Sequence, residues 1–462
     1  MLERDRIAQR WRTGRWDSLV ANGPAWHDRF PGLEFEGLDP DGFASKDAVA
    51  DYLEAYARKF NAPIRTGVEV VRAERNGGRY GFTVETSAGT YEAQRIVVAT
   101  GPFQRPVIPA IAPRDPALTQ IHSADYRNPG QLPEGAVLVI GAGSSGVQIA
   151  DELQRAGREV YLSVGPHDRP PRRYRGRDFC WWLGVLGLWD QETVQPGREH
   201  VTIAVSGTDG GRTIEFRALA HQGITLVGVT KSFRDGVVAF ENDLAENVAR
   251  GDANHFALLD AADAYIARNG LSLPDEPQAR RVPPDPACMT EPILQLDLAA
   301  ANVTSIIWAT GYAAEYGWLN VDAFDANGKP RHQRGVSSEP GCIFLACPGC
   351  RGVARPSSGA SGTTRSTLPA TLRCSATTCR IPISASPSSE CETRLQECYR
   401  CLRIHAYACS TPRTRTRTRP WTMIFARLSV PGRRSTCAAR SARISRAGWS
   451  AWGMRAPRPS RP

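Results

Sequence analysis

Cysteine is nearly absent from the first three quarters of this sequence, and lysine and aspartate are absent from the rest. Cys180 and Cys288 are the only cysteines before Cys342, whereas ten of the 12 fall at or after that position. Two isolated thiols exclude a disulfide framework for the first part and place it in a reducing, cytoplasmic compartment. Arg351 to Pro462 holds 21 Arg and 3 Glu but neither Lys nor Asp, a net of +18. The remainder has 36 basic and 44 acidic residues, a net of −8, so the overall +10 averages two unlike parts. No start with the charged, apolar and cleavage regions of a secretory signal is present. No apolar run approaches the ~20 residues of a membrane-spanning helix. The most apolar patch, "CWWLGVLGLW" (Cys180 to Trp189), is too short for that and reads as a buried helix or a pocket wall. Neither a nucleophilic triad nor a metal-ligand set stands out, so no catalytic residue and no metal ligand is nominated.

What is present is a phosphate-binding unit in the middle of the chain. "EGAVLVIGAGSSGVQIADELQRAGREVYLSVG" reads as strand, glycine turn, helix and second strand. Val137 to Ile140 is the continuous apolar run of a strand buried on both faces of a parallel sheet. Gly141, Gly143 and Gly146 then form GxGxxG, with Ser144 and Ser145 inside it. The first glycine permits the tight turn, the second admits a pyrophosphate close to backbone, and the third lets helix and strand pack closely. Val147, Ala150 and Leu153 continue at helical spacing, and Val160 to Val164 resumes as a strand. Strand, turn, helix and strand in this order predict a dinucleotide site.

The second strand ends in Ser163-Val164-Gly165, with no acid to bind the ribose 2′-hydroxyl of NAD. Arg169, Arg172 and Arg173 follow, which favours the 2′-phosphate of NADPH; a solvated loop is the alternative reading of these arginines. Two shorter signals flank the unit. "RIVVATGPFQRPVIP" ends a β-rich run in Ala99-Thr100-Gly101, and "SIIWATGYAAEYGWL" repeats the pattern at Ala309-Thr310-Gly311. Each predicts a buried strand breaking at a glycine, where backbone can pass close to a ligand.

Taken together, these residues resemble the flavin-dependent monooxygenases, the family that includes flavin-containing and Baeyer–Villiger monooxygenases. The resemblance covers roughly residues 1–345 and implies an α/β flavoprotein with two dinucleotide-binding domains. It assigns 1–127 to the first part of an FAD domain, 128–300 to an inserted Rossmann NADPH domain and 301–345 to the return to the FAD domain. By resemblance, both ATG turns (Ala99, Thr100, Gly101 and Thr310, Gly311) border the flavin. "RWDSL", with Arg15, Trp16 and Asp17, looks like the segment that approaches the isoalloxazine ring; an exposed loop is the alternative. "HSADY" (His122 to Tyr126) is similar to the end of the signature FxGxxxHxxx(Y/W), but Pro116 and Leu118 stand at its Phe and Gly positions. His122 falls near the nucleotide by this comparison, or is a structural histidine.

The two ends depart from the family. The family opens with a strand, glycine turn and helix that cradle the FAD pyrophosphate, and "MLERDRIAQRWR" looks instead like the end of the second strand of such a unit. Glu3 falls where the acid binding the FAD ribose belongs. Met1 then reads as an internal start, with ~30 residues of a βαβ unit missing before it; a free N-terminal helix is the alternative. At the other end, one base lost between Leu345 and Ala346 turns the family's FLGLPW strand into the observed FLACPG. Out-of-frame, GC-rich coding also explains the Arg, Pro, Ser, Thr and Cys bias of 346–462, which is expected to be disordered. A phosphate-gripping arginine segment and zinc at Cys347, Cys350, Cys398 and Cys401 explain that composition less well.

The resemblance implies that FAD and NADPH are the cofactors and that dioxygen and a small organic molecule are the substrates. Hydride passes from NADPH to the flavin, whose C4a-peroxide oxygenates the substrate. An inactive NADP-binding remnant with a basic, disordered tail is the competing reading. No nucleic-acid partner and no membrane span are expected, and substrate identity and oligomeric state stay open.

Overall fold

The computed structural model describes residues 1–77, 81–190 and 202–345. The expectations for the tail, its disorder, its frame and its CxxC pairs lie outside the described residues. At the centre stands a five-stranded parallel sheet formed by β1 (Thr119–His122), β2 (Ala136–Ile140), β3 (Val160–Ser163), β4 (Ile224–Val227) and β5 (Val303–Trp308). Its order is β4-β3-β2-β5-β1, every pairing being parallel.

All five residues of β2 are buried, as a strand covered on both faces requires. Its side chains alternate between two cores. Val137 and Val139 pack with Val147, Ile149, Ala150 and Leu153 of helix α1 (Ser144–Arg155), joined by Phe216 and Leu219. Ala136, Leu138 and Ile140 face the other way, against Val238, Phe240, Leu298, Ile306 and Trp308. That second face is covered by a small antiparallel sheet of Thr230–Arg234, Val237–Phe240 and Gln295–Asp297.

β1 and β5 bring a finding about the expected segments. The sequence assigns Thr119–His122 to the first flanking segment and Val303–Trp308 to the return segment. Both strands hydrogen-bond within the dinucleotide sheet, in register Ile307 with Ile121 and with Val139. Trp308 is fully buried there, and its indole N–H donates to Gln120 Oε1 at 3.3 Å. The flanking layer is built from the residues on either side. An antiparallel sheet of Val70–Arg75, Phe82–Thr86 and Gly89–Ala93 takes Leu319–Asn320 as a parallel edge strand. Ile96–Val98 pairs in parallel with Cys342–Phe344, and Leu2 makes a parallel bridge to Arg65.

A long helix, α2 (Leu244–Asn269), adds Leu244 and Val248 to the main core and ends at Gly270 in left-handed conformation, φ 60°. A buried ionic network ties it to the loop after β3. Asp252 of α2 accepts from Arg169 Nε at 3.0 Å and from Arg217 Nη1 at 2.9 Å, and Arg217 Nε reaches Asp285 at 2.6 Å. Charges removed from water in this way hold only while all partners are present. Asp252→Ala is expected to lower the unfolding free energy by about 3–5 kcal/mol, because two arginines lose their shared acid. Urea unfolding followed by circular dichroism measures that loss.

Candidate functional site

The glycine turn lies between β2 and α1. Gly141 has φ +108°, and a Cβ there would come 2.5 Å from the carbonyl oxygen of Ala309. A Cβ on Gly146 would stand 1.7 Å from the carbonyl oxygen of Gly141. Only glycine fits either position, so the turn is closed by backbone contact between β2, α1 and the end of β5. Gly143 is the N-cap and offers no side chain to the first turn of α1. Helix N-terminal N–H groups left without a cap attract anions. Here the carbonyl of Ile203 accepts from both Ser144 N–H and Ser144 Oγ, each at 2.8 Å. Gln148 of α1 fastens the same segment by donating to the carbonyl of Val205 at 2.6 Å. Ser145 is half-buried.

The arginines following β3 do not all stand free for a 2′-phosphate, and here the expectation needs correction. Arg172 is 2% exposed. It donates from Nε to Asp178 at 3.0 Å, from Nη2 to both Asp178 oxygens at 2.7 Å and from Nη1 to the Asn22 carbonyl at 2.7 Å. The rings of Phe43 and Phe179 cover its faces. Arg169 is likewise buried against Asp252. Both are structural, and the reason is burial: a guanidinium inside the protein must keep a carboxylate partner. Arg173 alone remains exposed, with one long bond to the Asp41 carbonyl at 3.3 Å.

The apolar patch 180–189 forms the helix Phe179–Val185, entered through Asp178, whose side chain caps the N–H of Cys180. Cys180 and Trp182 are buried. Burial, with Asp178 adding to it, pushes the Cys180 thiol up, so it is inert as a nucleophile.

The two ATG turns meet. Gly101 and Gly311 have φ +72° and +81°. Thr310 Oγ1 donates to the carbonyl of Val107, and Val107 N–H donates to the carbonyl of Gly311. The segments after the turns then pair as an antiparallel ribbon, Tyr312 opposite Pro106 and Ala313 opposite Arg105. On the first turn, Gln104 Nε2 donates to Thr100 Oγ1 at 3.0 Å and to the Gly101 carbonyl at 2.8 Å; Ala99 and Thr100 are exposed.

His122, at the end of β1, joins this junction. Its Nε2 lies 2.9 Å from the Gly311 carbonyl, and its Nδ1 accepts from Ala124 N–H at 3.1 Å. A carbonyl only accepts, so Nε2 carries the proton and the ring is the neutral Nε2–H tautomer. His122 is therefore a tie between β1 and the second ATG turn.

Of "RWDSL", only Arg15 faces the junction. Its guanidinium lies over Phe103 at 5.0 Å and Trp11 at 5.7 Å. Trp16 is 6% exposed and belongs to the main core with Tyr126 and Leu19. Asp17 is exposed and accepts from Asn128 at 2.7 Å. Glu3 caps a local turn at Asp5 N–H, 3.2 Å away. Phe103 and Tyr312 complete the cluster with ring centroids 5.2 Å apart, and Tyr312 also contacts His122 at 5.0 Å. Sequence reasoning did not single out these two aromatics, although Tyr312 directly follows one ATG turn and Phe103 lies two residues after the other.

Burial lowers the proton affinity of His122, and it does the same to His167 and His255. The folded protein thus holds these rings neutral while the unfolded chain protonates them near about 6.5. Their contribution is complete above that pH and is lost as pH falls through it and beyond. The melting temperature is expected to drop between pH 7 and pH 5, and His122→Asn is expected to make the drop shallower; differential scanning calorimetry across that range tests both.

The comparisons with known proteins agree with this geometry. Residues 36–175 match the family model of the pyridine nucleotide-disulphide oxidoreductases. An uncharacterised CzcO-like oxidoreductase of Geobacillus kaustophilus is 34% identical over 347 residues, 74% of this chain and 82% of that protein. The uncharacterised oxidoreductase CzcO of Bacillus subtilis is 28% identical over 346 residues, with the same coverage of 74% and 82%. The fold is similar to that of the flavin-containing monooxygenase from Stenotrophomonas maltophilia, with a TM-score of 0.51 at 18% identity over 79% of this chain and 87% of that one. From its identity to the Geobacillus protein and the share of that protein it spans, the chain belongs to the CzcO-like oxidoreductases, a flavin-dependent monooxygenase-like family.

Proposed function

We propose that this protein is an NADPH- and FAD-dependent oxidoreductase that oxygenates a small organic substrate with dioxygen. One observation carries the reading: the glycine turn is packed directly beneath Ala309, so a nucleotide on that turn lies beside Thr310 and Gly311.

The residues present fit a nicotinamide dinucleotide. Gly141 and Gly146 let backbone close the turn, and the first turn of α1, which has no side-chain cap at Gly143, would offer N–H groups to a pyrophosphate in exchange for the Ile203 carbonyl. Exposed Arg173 is the cation available for a 2′-phosphate. For the flavin, the described residues offer both ATG turns. The strand–glycine-turn–helix unit at 136–155 has no second copy among the described residues. When bound, the two cofactors supply hydride transfer and oxygen activation.

The protein's own share is placement. The ribbon of 105–106 and 312–313 fixes the two turns against each other, and His122 holds the Gly311 carbonyl. Trp11, Phe103 and Tyr312 give the junction apolar walls that restrict water.

The test uses the purified full chain with and without added FAD. Flavin absorbance that stays with the protein, and NADPH oxidation matched by oxygen uptake, are the expected results. Nucleotide binding without flavin or turnover would favour the remnant. Gly146→Ala is expected to abolish NADP⁺ binding. Arg173→Ala is expected to weaken NADPH by about tenfold, roughly 1.4 kcal/mol, and to leave NADH unchanged; fluorescence titration of both nucleotides reads the difference.

A further inference from the structure

Among the described residues, Arg15 is a cation without an acid. Its contacts are the carbonyl of its neighbour Gly14 at 3.2 Å and the rings of Trp11 and Phe103. Other arginines buried in this fold hold carboxylates: Arg169 has Asp252 and Arg172 has Asp178. Acids paired with residues of the neighbouring segments are committed elsewhere. Asp51 and Glu54 pair with Arg12, and Glu315 faces Arg105 at 3.8 Å. The other charge that acts on it is of the same sign, Arg10, whose Nη2 is bound to the Gln104 carbonyl at 3.3 Å. Removal from water works against the charged guanidinium, and Arg10 works in the same direction, while Tyr312 opposes them. Arginine nonetheless stays protonated in proteins, so this position holds a positive charge that the described residues leave unneutralised.

Its place in the fold says what an incoming anion would be attached to. Ala309 touches the glycine turn, Gly311 receives His122, and Tyr312 packs on Phe103, the ring over which Arg15 lies, all within one short run of chain. Arg15 thus stands at the far end of the junction from the pyrophosphate cradle. Around it are aromatic rings, which suit an apolar or aryl body, and a planar fork of donors, which suits a carboxylate.

We propose that Arg15 anchors the carboxylate of an aryl or apolar organic acid, so that the substrate class of this site is carboxylic acids. The proposal rests on the oxygenase reading for the word substrate. Its test therefore reads binding rather than turnover.

Isothermal titration of the full chain compares phenylacetate with phenylacetamide, which differ in charge but hardly in shape, and NADP⁺ is titrated in parallel. Expected is that the acid binds at least about tenfold more tightly than the amide, that Arg15→Gln removes this preference, and that Arg15→Lys keeps part of it. NADP⁺ affinity is expected to be the same in all three proteins, which also shows that the variants are folded. Equal binding of acid and amide, binding of neither, or a preference that survives Arg15→Gln overturns the proposal. A loss of NADP⁺ affinity in Arg15→Gln equal to the loss of phenylacetate affinity also overturns it, because the cation then serves a nucleotide phosphate. NADPH oxidation coupled to oxygen uptake, measured separately, decides the oxygenase reading whichever way the titrations fall.

Discussion

The structure around the site depends on one close approach, that of Gly141 to the carbonyl of Ala309. A side chain at Gly141 would push β5 away from β2, and one at Gly146 would push α1 off the turn. With both absent, the end of β5 settles over the turn, and Thr310 and Gly311 are delivered to Val107. The ribbon after the turns, the bond from His122 and the ring contact of Tyr312 all follow from that placement. The dinucleotide sheet and the flanking layer thereby share a junction built from backbone, which leaves little room for side chains to adjust it.

Charge is handled in two ways on the two sides of this junction. Beyond β3, each buried arginine is sealed by an acid, and their work is to join α2 and the 178–185 helix to the sheet. Such pairs add little net stability but are costly to break, because the surviving charge has no water to turn to. At Arg15 the seal is aromatic. Rings attract a guanidinium with ~1 kcal/mol or so when partly desolvated, well short of what a carboxylate offers through two parallel charge-assisted bonds. An anion entering there meets donors that are already positioned and poorly satisfied.

The parts legible in the sequence were those coded locally. GxGxxG, the apolar run of β2 and the repeated ATG each declare a backbone geometry within a few residues, and the structure contains the corresponding strand, turn and helix. Arg169 and Arg172 were misjudged because their meaning lies elsewhere in the chain. Arg169 finds its acid 83 residues away, and nothing in its own neighbourhood announces Asp252. Asp178 is close to Arg172 in sequence, but its double use as helix cap and ion partner depends on the turn Arg173–Tyr174 pairing with Arg177–Asp178. In "RWDSL", neighbouring residues face opposite ways, Trp16 into the core and Arg15 toward Phe103, a distinction that no short irregular segment shows in its letters. Thr119–His122 was hidden for a similar reason. As an edge strand of four residues, only one of them fully buried, it carries too little pattern to be told from a loop.

The first turn of α1 poses a problem of competition that the sequence also conceals. Gly143 is required for close approach and so cannot cap the helix, which leaves its N–H groups to be satisfied from outside. The Ile203 carbonyl does so at Ser144, and Gln148 steadies the same segment through Val205. A phosphate reaching this turn must exchange with a neutral carbonyl. The exchange favours the phosphate, since bonds to a charged acceptor are roughly twice as strong as those to a neutral one, and the helix dipole adds to the preference for the anion. What opposes it is the displacement of Ile203 and the loss of order around Val205. Nucleotide affinity is then set by the difference between two caps for one helix, and residues 203–205, which touch no glycine motif in the sequence, help to determine it.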